Sequence, residues 1–587
     1  MFPLLLLAWV AGAYEYPNYC SKVGDEDFVQ ARTIPELSQE AVRLKTELVH
    51  VSTILRHGAR TPAGRYLCWR GYAPQWNCDV EESLRPLLTA RAFAHTRTEI
   101  TDLIPPVPGD ADIKAAGASD AQVADTEAHD LDLFPETATP QLMFRKHYDS
   151  DPAANSLGGT CGKGHLLAEG FEQHAHIGQL FAQYYQKNST PLIATDAKNQ
   201  IWFRSSDMQR TILSGATFLT HFIRASNLTV GGEIDLHTMD EGNDFIFPNA
   251  HACPELQQLK EDLLSSQTFA ELQAKYEGVE KSIAVLTGLE DVKALWPGEF
   301  FDCIMTAVCG DEWASLPSNL RPMWLSSEVD TSDAASNQQI GSNLAGNNQM
   351  GTNQAASMRW SDAFHETVGK TSAAVNEYAS YQYTWNGSRY SRAATVKFMV
   401  EFKTELCRAL MKHVTADHEP AQAARILADI IPTDDLQEFY RRVVASRTSI
   451  TTPFDAKKLV VYAAHDTTLL PFLASLGNED MFDATWPPYA SQMIFELHAA
   501  TKDTPHLRDQ PDDDDQSDDV DNQTAYFFRL IYNGVSITDR IPACSKRRVG
   551  TSDLCGLKAF FHATSWAAPS KVTALCGSPT VIPDVVY

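Results

Sequence analysis

The sequence predicts an α/β protein in which one sheet-containing domain is interrupted by a mainly helical cap. Three short apolar runs typical of strands, at residues 48–55, 200–203 and 458–463, each end abruptly in charged or polar residues. Helical periodicity dominates from about 255 to 445, between the second and the third of these runs. Strand-to-helix units on both sides of a helical stretch indicate one α/β core that carries a helical insertion.

Length and composition restrict the class of protein further. At about 150 residues per domain, 587 residues correspond to three or four units, or to one large α/β domain with insertions. Hydrophobic residues make up 44% and charged residues 21%, which is too apolar for a disordered chain. Because 75 acidic residues outnumber 48 Lys and Arg, the formal net charge is −27, which argues against a nucleic-acid or membrane-surface partner.

Changes in composition along the chain predict four segments and three inserted loops. The segments are a signal peptide, the first part of the α/β core, the helical cap, and the second part of the core with a disulfide-rich tail, at residues 1–13, 14–240, 241–450 and 451–587. The inserts are an acidic stretch, an Asn/Gln/Gly-rich loop with a degenerate repeat, and an acidic hairpin tip, at 99–136, 331–357 and 508–521. All three inserts are expected to be solvated.

The N-terminal sequence MFPLLLLAWVAGA has the features of a secretory signal peptide. Its apolar run ends in Ala11-Gly12-Ala13, an A-x-A cleavage pattern, and is too short to span a bilayer. A buried first strand is the alternative interpretation. No later run of about 20 uncharged apolar residues occurs, so we expect no membrane span. The sequence therefore predicts a soluble, secreted or lumenal protein and leaves its oligomeric state open, a homodimer included.

The eleven cysteines and four N-glycosylation sequons fit the same compartment. No C-x-x-C pair occurs, which argues against zinc ribbons and thioredoxin-type redox motifs, and the odd number predicts one cysteine outside the disulfides. We expect Cys68 to pair with Cys78 and Cys544 with Cys555, because each pair closes a short loop. The sequons begin at Asn188, Asn227, Asn386 and Asn522.

Charged residues follow each of the three strand-like runs. The first run is followed by RHGAR at 56–60, the second by RSSD at 204–207 and the third by HD at 465–466. In an open α/β sheet, the loops at the carboxyl ends of neighbouring strands meet in one crevice beside helix N-termini. We therefore expect one site that contains Arg56, His57, Arg60, Arg204, His465 and Asp466.

These residue types suit the transfer of a phosphoryl group. Three guanidinium groups offer forked donors for a phosphate dianion, and helix N-termini add backbone N–H groups. A neutral imidazole can attack phosphorus, and a carboxyl group can protonate the leaving oxygen. Each element alone is more typical of a surface loop, a helix cap or an ordinary salt bridge, so the prediction depends on their joint occurrence at strand ends.

The motifs RHGARTP at 56–62 and AHDTT at 464–468 resemble those of the histidine acid phosphatases. This family is the acid phosphatase and phytase branch of the histidine phosphatase superfamily. RSSDMQRT at 204–211 is similar to the RSTDxxRT-type segment of the family, and LxxGxxQ at 167–173 is similar to its first long helix. The resemblance spans about 48–545, with gaps.

The resemblance implies a three-layer α/β/α core like that of phosphoglycerate mutase, with an inserted, mainly helical cap domain. It implies that His57 is the nucleophile that becomes phosphohistidine. Asp466 would protonate the leaving oxygen and then help to activate water. The residues that would hold the phosphate oxygens are Arg56, Arg60, Arg204 and His465. The implied substrate is a small phosphate monoester, and neither a metal nor a cofactor is implied.

Two departures from the family pattern leave the substrate open. Ala59 stands where many acid phosphatases carry an acidic residue, and more than 140 residues separate Arg60 from Arg204. The sequence predicts a secreted acid phosphatase, with a phytase or a phosphatase of phosphosugars or lysophosphatidate as the alternative within the family. A catalytically inactive secreted binding protein on the same fold is the alternative outside enzymes.

Metal-dependent hydrolysis is the rival chemistry. His174, His176 and Asp207 could be taken for metal ligands, but residues two apart on a helix point in different directions, and no H-E-x-x-H motif occurs. We expect both histidines on a helix surface. Neither a G-x-S-x-G elbow nor a P-loop occurs, which argues against serine hydrolases and NTPases.

Overall fold

The structure is a computed structural model that describes twelve stretches of the chain. These are residues 17–64, 68–80, 86, 157–187, 191–194, 196–288, 297–322, 360–445, 456–477, 479–501, 526–544 and 552–577. The expected signal peptide and the three expected inserts lie outside them. The chain divides into two compact units, Met1–Pro86 with Ser156–Tyr587 and Leu87–Asn155, and all described residues belong to the first. The domain boundaries expected from composition stay a prediction.

One mixed sheet forms the centre of the described residues. Its strands are β1 Thr46–Arg56, β2 Ile201–Ser205, β3 Leu236–His237, β4 Leu459–Ala464, β5 Gln492–Ala500, β6 Tyr526–Tyr532, β7 Val535–Ser536 and β8 Cys555–Gly556. Their order is β3-β2-β4-β1-β5-β6-β7, and β8 also pairs with β6. The pairs from β3 to β1 are parallel and the remaining pairs are antiparallel. The three strand-like runs of the sequence are thus β1, β2 and β4, which are adjacent.

Helices account for most of the remaining described residues. They are α1 Pro17–Cys20, α2 Glu26–Arg32, α3 Gln39–Arg43, α4 Ala168–Tyr185, α5 Gln209–Ala225, α6 Glu255–Leu264, α7 Gln267–Thr287, α8 Pro297–Cys309, α9 Asp362–Asp417, α10 Pro420–Ile430, α11 Thr433–Ala445, α12 Asp466–Leu476, α13 Leu557–Ala563 and α14 Val572–Cys576. α9 contains a non-helical break from Trp385 to Ser388. Within the described stretches, none of these helices combines the length and the apolarity that a membrane span needs.

Helices cover both faces of the sheet. Successive side chains of a strand alternate between these faces, so neighbouring residues of β4 contact different helices. Val461 in β4 belongs to a buried cluster with Phe181 of α4 and Phe218 of α5. Its neighbour Tyr462 points to the opposite face, where its ring centroid lies 5.0 Å from that of Phe398 in α9. The predicted α/β/α core with a helical addition is therefore confirmed.

The long helix α9 connects the helical region to the core. The described residues from α6 to α11 are mainly helical, as the periodicity predicts, but the second half of α9 packs directly beneath the sheet. Phe402 in this half contacts Tyr462, Phe472 and Phe495, with ring centroids 6.0, 5.3 and 5.6 Å away. This half therefore forms part of one helical layer of the core, and its apolar residues extend around most of the helix, as expected for a buried helix.

Five disulfides join described residues, and Cys407 is free and buried. The pairs are Cys20–Cys309, Cys68–Cys303, Cys78–Cys161, Cys253–Cys576 and Cys544–Cys555. The predictions of one unpaired cysteine and of Cys544–Cys555 are confirmed, whereas the predicted Cys68–Cys78 pair is wrong. Cys68 is buried in a cluster with Cys303 of α8, so packing rather than loop length selects its partner.

Candidate active site

The loops that follow β1, β2 and β4 meet at one edge of the sheet. These strands are parallel neighbours, so their carboxyl ends lie side by side. His57 follows β1 and His465 follows β4, and their ring centroids are 5.6 Å apart. Asp466 begins α12, with His465 as its N-cap residue. The structure therefore brings the predicted histidines and the predicted proton donor together.

The ring of His57 is oriented so that one nitrogen stays available. The side chain is 2% exposed, and its Nδ1 lies 2.9 Å from the carbonyl oxygen of Gly58. Because a carbonyl oxygen only accepts hydrogen bonds, Nδ1 carries the proton and Nε2 keeps its lone pair. An imidazole nitrogen in this state can act as a nucleophile.

Burial and nearby cations keep both histidines uncharged. Burial lowers the pKa of His57 well below its ordinary value, and Arg210 and Arg56 lower it further. Burial and Arg210 lower the pKa of His465 to about 3, although Asp466 opposes this shift. Both rings therefore stay neutral at pH values at which a free histidine would be protonated.

Helix α4 holds the RHGAR loop against the end of β1. Oε1 of Gln173 accepts a 2.8 Å hydrogen bond from the backbone N–H of Ala59, and its Nε2 donates to the carbonyl oxygen of Cys20 at 2.7 Å. A Cβ atom at Gly58 would lie 2.6 Å from Cα of Gly170, so only glycine fits there. The LxxGxxQ pattern of the sequence therefore supports the loop that carries His57.

Arg56 is fully buried beside the carboxylate of Asp466. Its Nη2 lies 2.7 Å from Oδ2 of Asp466, and its Nη1 donates to the carbonyl oxygen of Pro487. The guanidinium group also lies over the ring of Tyr489, with Cζ 4.5 Å from the ring centroid. Its buried Nε has no hydrogen-bond partner among the described residues. Arg56 is thus fixed by its two Nη atoms and keeps one donor free.

Arg60 is held by a carboxylate from the predicted cap region. Its Nη2 and Nη1 donate to Oδ1 and Oδ2 of Asp302 at 2.9 and 3.2 Å, which is a bidentate pair. Asp302 lies on α8 beside Cys303, whose disulfide to Cys68 ties this helix to the chain that follows the RHGAR loop. Sequence reasoning missed Asp302, because a contact across 242 positions leaves no local pattern.

The carboxyl group of Asp466 accepts three hydrogen bonds or ion-pair contacts. Besides Arg56, the backbone N–H of Thr467 donates to Oδ1 at 2.7 Å, and Nε1 of Trp486 donates to Oδ2 at 3.0 Å. Burial raises the pKa of Asp466, but Arg56, Arg60 and His465 outweigh this effect, and the net shift is downward. Asp466 is therefore ionised in the free protein.

Arg204 lies apart from these residues, contrary to the expectation. It is 2% exposed; its Nη2 is 2.6 Å from Oδ1 of Asp244, and its Nε is 3.3 Å from Oε1 of Glu401 in α9. Side chains alternate along β2, so Arg204 lies on the same face as Trp202, which packs in the cluster formed around α9. The carboxyl groups of Asp244 and Glu401 already lie against this guanidinium, so its placement does not support the prediction that Arg204 holds phosphate.

Arg210, in the first turn of α5, takes the place expected for Arg204. Of the charged groups that lower the pKa of His57 and of His465, Arg210 has the largest effect on each. Its side chain has neither an ion pair nor a hydrogen bond within the described stretches, and its Nε is buried. The sequence did contain this signal, because RSSDMQRT carries a second arginine where the helix begins.

The histidines of the rival metal interpretation lie in different surroundings. His174 is fully buried, so the expectation of a helix-surface histidine is wrong for this residue. His176 is partly buried, and its ring centroid lies 5.6 Å from that of Phe28 in α2. The two side chains point in different directions, as expected for residues two apart on α4.

Comparisons with known proteins identify the family of the chain. A family profile described as "Histidine phosphatase superfamily (branch 2)" matches residues 47–533, which is most of the chain. The chain therefore belongs to this superfamily. The match includes the RHGAR loop, the RSSDMQRT segment and the His465-Asp466 pair.

Curated relatives match over shorter stretches. The chain is 29% identical over 190 residues to Counting factor 60 of Dictyostelium discoideum, covering 31% of this chain and 44% of that protein. It is 32% identical over 136 residues to human lysophosphatidic acid phosphatase type 6, covering 23% of this chain and 24% of that protein. Mouse prostatic acid phosphatase is 21% identical over 344 residues, covering 57% of this chain and 67% of that protein. The matched stretch is thus less than half of each of the first two relatives.

Among solved structures, the chain is similar to a phytase from Citrobacter braakii, with a TM-score of 0.39 and 11% identity. That alignment covers 90% of this chain and 99% of the phytase. A multiple inositol polyphosphate phosphatase from Bifidobacterium longum gives a TM-score of 0.41 at 11% identity, covering 95% of this chain and 98% of that chain.

Proposed function

We propose that the protein hydrolyses phosphate monoesters through a phosphohistidine at His57. One observation carries the proposal: three arginines lie close enough to the neutral imidazole of His57 to lower its pKa, and their buried Nε–H groups lack an acceptor in the described part of the chain. These arginines are Arg56, Arg60 and Arg210. Buried donors without a partner are rare in native proteins, and guanidinium groups favour phosphate as their acceptor.

In the first step, Nε2 of His57 attacks phosphorus, the bond between phosphorus and the ester oxygen breaks, and Asp466 gives a proton to that oxygen. Because Asp466 is ionised in the free protein, it first takes this proton from a phosphate oxygen of the bound substrate and then passes it to the ester oxygen. A phosphate monoester carries it as a monoanion below about pH 6. The alcohol leaves, and the phosphoryl group stays on His57.

In the second step, water attacks the phosphorus atom of the phosphohistidine. The bond between nitrogen and phosphorus breaks, Asp466 takes a proton from the water, and that proton then leaves with the inorganic phosphate. Arg56, Arg60, Arg210 and His465 would hold the phosphate oxygens in both steps. Their fixed donors would stabilise the charge that develops on these oxygens.

The five disulfides support a secreted or lumenal location for this activity. Disulfides persist in oxidising compartments and are rare in the cytosol. Two of them, Cys20–Cys309 and Cys68–Cys303, end on α8, the helix that supplies Asp302. An oxidising compartment would preserve these two disulfides. They would hold α8 in place, and with it the carboxylate of Asp302 that binds Arg60.

Replacing Arg210 with alanine is expected to lower kcat/KM by about 10²–10³-fold, as the loss of a charged donor to a developing oxyanion does elsewhere. Because Arg210 lowers the pKa of His57, its loss raises that pKa, and the acid limb of the kcat/KM profile moves to higher pH. Arg224→Ala, an exposed change on the same helix, is the control and should alter neither quantity. An unchanged profile in Arg210→Ala would contradict the role given to Arg210.

Dialysis against EDTA is expected to leave the rate of p-nitrophenyl phosphate hydrolysis unchanged. The arginines already supply the positive charge that a divalent ion would bring to a phosphoryl group. The measurement compares dialysed enzyme with and without added zinc or magnesium. A loss of activity that either ion restores would favour the rival metal chemistry.

A further inference from the structure

The segment Trp486–Tyr489, which leads into β5, contacts both Arg56 and Asp466. Nε1 of Trp486 donates to Oδ2 of Asp466 at 3.0 Å. The carbonyl oxygen of Pro487 accepts from Nη1 of Arg56, and the ring of Tyr489 lies beneath the same guanidinium. Nothing in the proposed phosphoryl transfer assigns a role to this segment.

The two oxygens of Asp466 have different partners. Oδ2 lies 2.7 Å from Nη2 of Arg56, with which it forms an ion pair, and accepts the indole N–H of Trp486 at 3.0 Å. Oδ1 receives the backbone N–H of Thr467 at 2.7 Å. An arginine and an indole N–H only donate, so neither can accept a hydrogen bond from a protonated Oδ2. Both neighbours of Oδ2 thus disfavour a proton on this oxygen, whereas Oδ1, with about two acceptor positions and one donor, keeps one position.

We propose that Trp486 is a positioning residue that holds Oδ2 of Asp466 and thereby assigns the transferable proton to Oδ1. This inference rests on the proposed function, in which Asp466 passes a proton to the leaving oxygen. Rotation that exchanges the two carboxyl oxygens would break the ion pair with Arg56 and the hydrogen bond from Trp486, so the carboxyl group is held in one orientation. The proton is therefore presented from one defined atom in every turnover, which is the geometric condition for general acid catalysis.

Trp486 is itself anchored to the predicted cap region. Its backbone N–H donates to Oδ1 of Asn376 at 2.9 Å, and Asn376 lies in the first half of α9. Its indole packs against the buried cluster formed around α9 and against the buried cluster that contains Cys68 and Cys303 of α8. The position of the indole N–H therefore depends on helices of the core and of the predicted cap region. Through the hydrogen bond from Trp486, these helices hold the carboxyl group of Asp466 in its orientation.

Replacing Trp486 with phenylalanine removes the N–H and keeps an aromatic ring. We expect kcat/KM for glycerol phosphate to fall about tenfold more than kcat/KM for p-nitrophenyl phosphate, because only the alkyl substrate depends strongly on the acid. Trp313→Phe is the matched control, because it removes an indole hydrogen bond of 3.1 Å to the carbonyl oxygen of Val308. The control should change kcat/KM for both substrates by the same factor. In a protein that already carries Asp466→Asn, Trp486→Phe should not change the ratio of kcat/KM for glycerol phosphate to kcat/KM for p-nitrophenyl phosphate any further.

A second measurement does not depend on turnover. In protein labelled with nitrogen-15 at tryptophan, the indole resonance of Trp486 is the one that Trp486→Phe removes. We expect its proton to move upfield in Asp466→Ala, because it loses a charged acceptor, while the Trp313 resonance stays in place. If this resonance does not move, or if Trp486→Phe lowers both substrates equally, the inference is wrong. Failure of the wild type to hydrolyse either substrate would overturn the proposed function, and the resonance would still test the contact.

Discussion

Replacing His57 with alanine is expected to lower kcat by about four orders of magnitude or more, while the protein stays folded. The change removes the nucleophile and leaves the three arginines in place. His465 is the nearest candidate to take over, with its ring centroid 5.6 Å from that of His57. Its Nε2 is already engaged, however, at 2.9 Å from Oγ of Ser206, so we expect no rescue.

The phosphoenzyme gives the direct measurement of this prediction. Wild-type protein is mixed briefly with radiolabelled p-nitrophenyl phosphate and then denatured in alkali, which preserves phosphohistidine. The label should be stable to base and labile to acid, and His57→Ala should carry none. His176→Ala, which changes a partly buried histidine of α4, is the control and should retain label and activity. Label on a serine, aspartate or cysteine would contradict the mechanism.

The general position of the site was predictable because it follows from sheet topology. Loops after parallel neighbouring strands meet at one edge, so RHGAR and the His465-Asp466 pair come together once β1 and β4 are adjacent. The strands themselves were evident as apolar runs, since both faces of the central sheet are covered. The two layers of helices followed from the periodicity on either side of these runs.

The same reasoning selected Arg204 and overlooked Arg210. Arg204 is the last residue but one of β2, and the alternation of side chains along the strand carries it to the α9 face. Arg210 lies six positions later in the first turn of α5, and it is the cation that lowers the pKa of His57 and of His465 most. A strand-end argument identifies the loop that approaches the site, but the direction of each side chain depends on where the strand stops.

Residues that orient the proposed catalytic groups could not be predicted from the sequence. Asp302 on α8 and Trp486 before β5 contact Arg60 and Asp466 through the folded arrangement of distant segments. Their sequence surroundings are ordinary for a helix and for a loop. The pairing of Cys68 with Cys303 has the same origin, because it depends on where α8 packs. Contacts of this kind need tertiary structure.

Replacing Asp466 with asparagine is expected to harm poor leaving groups far more than good ones. An alkyl phosphate must expel an alkoxide, so protonation during bond breaking matters greatly and is commonly worth about 10²–10⁴-fold. A p-nitrophenolate leaves readily without a proton. We therefore expect kcat/KM for glycerol phosphate to fall by a factor in that range, and kcat/KM for p-nitrophenyl phosphate to fall much less.

The same variant tests where the proton comes from. Arg56 and Arg60 outweigh the effect of burial and lower the pKa of Asp466 below the ordinary value for an aspartate, which is about 3.9. The carboxyl group is therefore ionised at any pH above that value, and the monoanionic substrate must deliver the proton. The ratio of kcat/KM between mutant and wild type reports the steps up to phosphoenzyme formation, so slow dephosphorylation cannot hide the contrast. Asparagine keeps the shape of the side chain and an acceptor for Trp486 and Arg56, which limits structural disturbance. If both substrates lose the same factor, Asp466 does not protonate the leaving oxygen, and its contact with Arg56 would instead serve to orient that guanidinium.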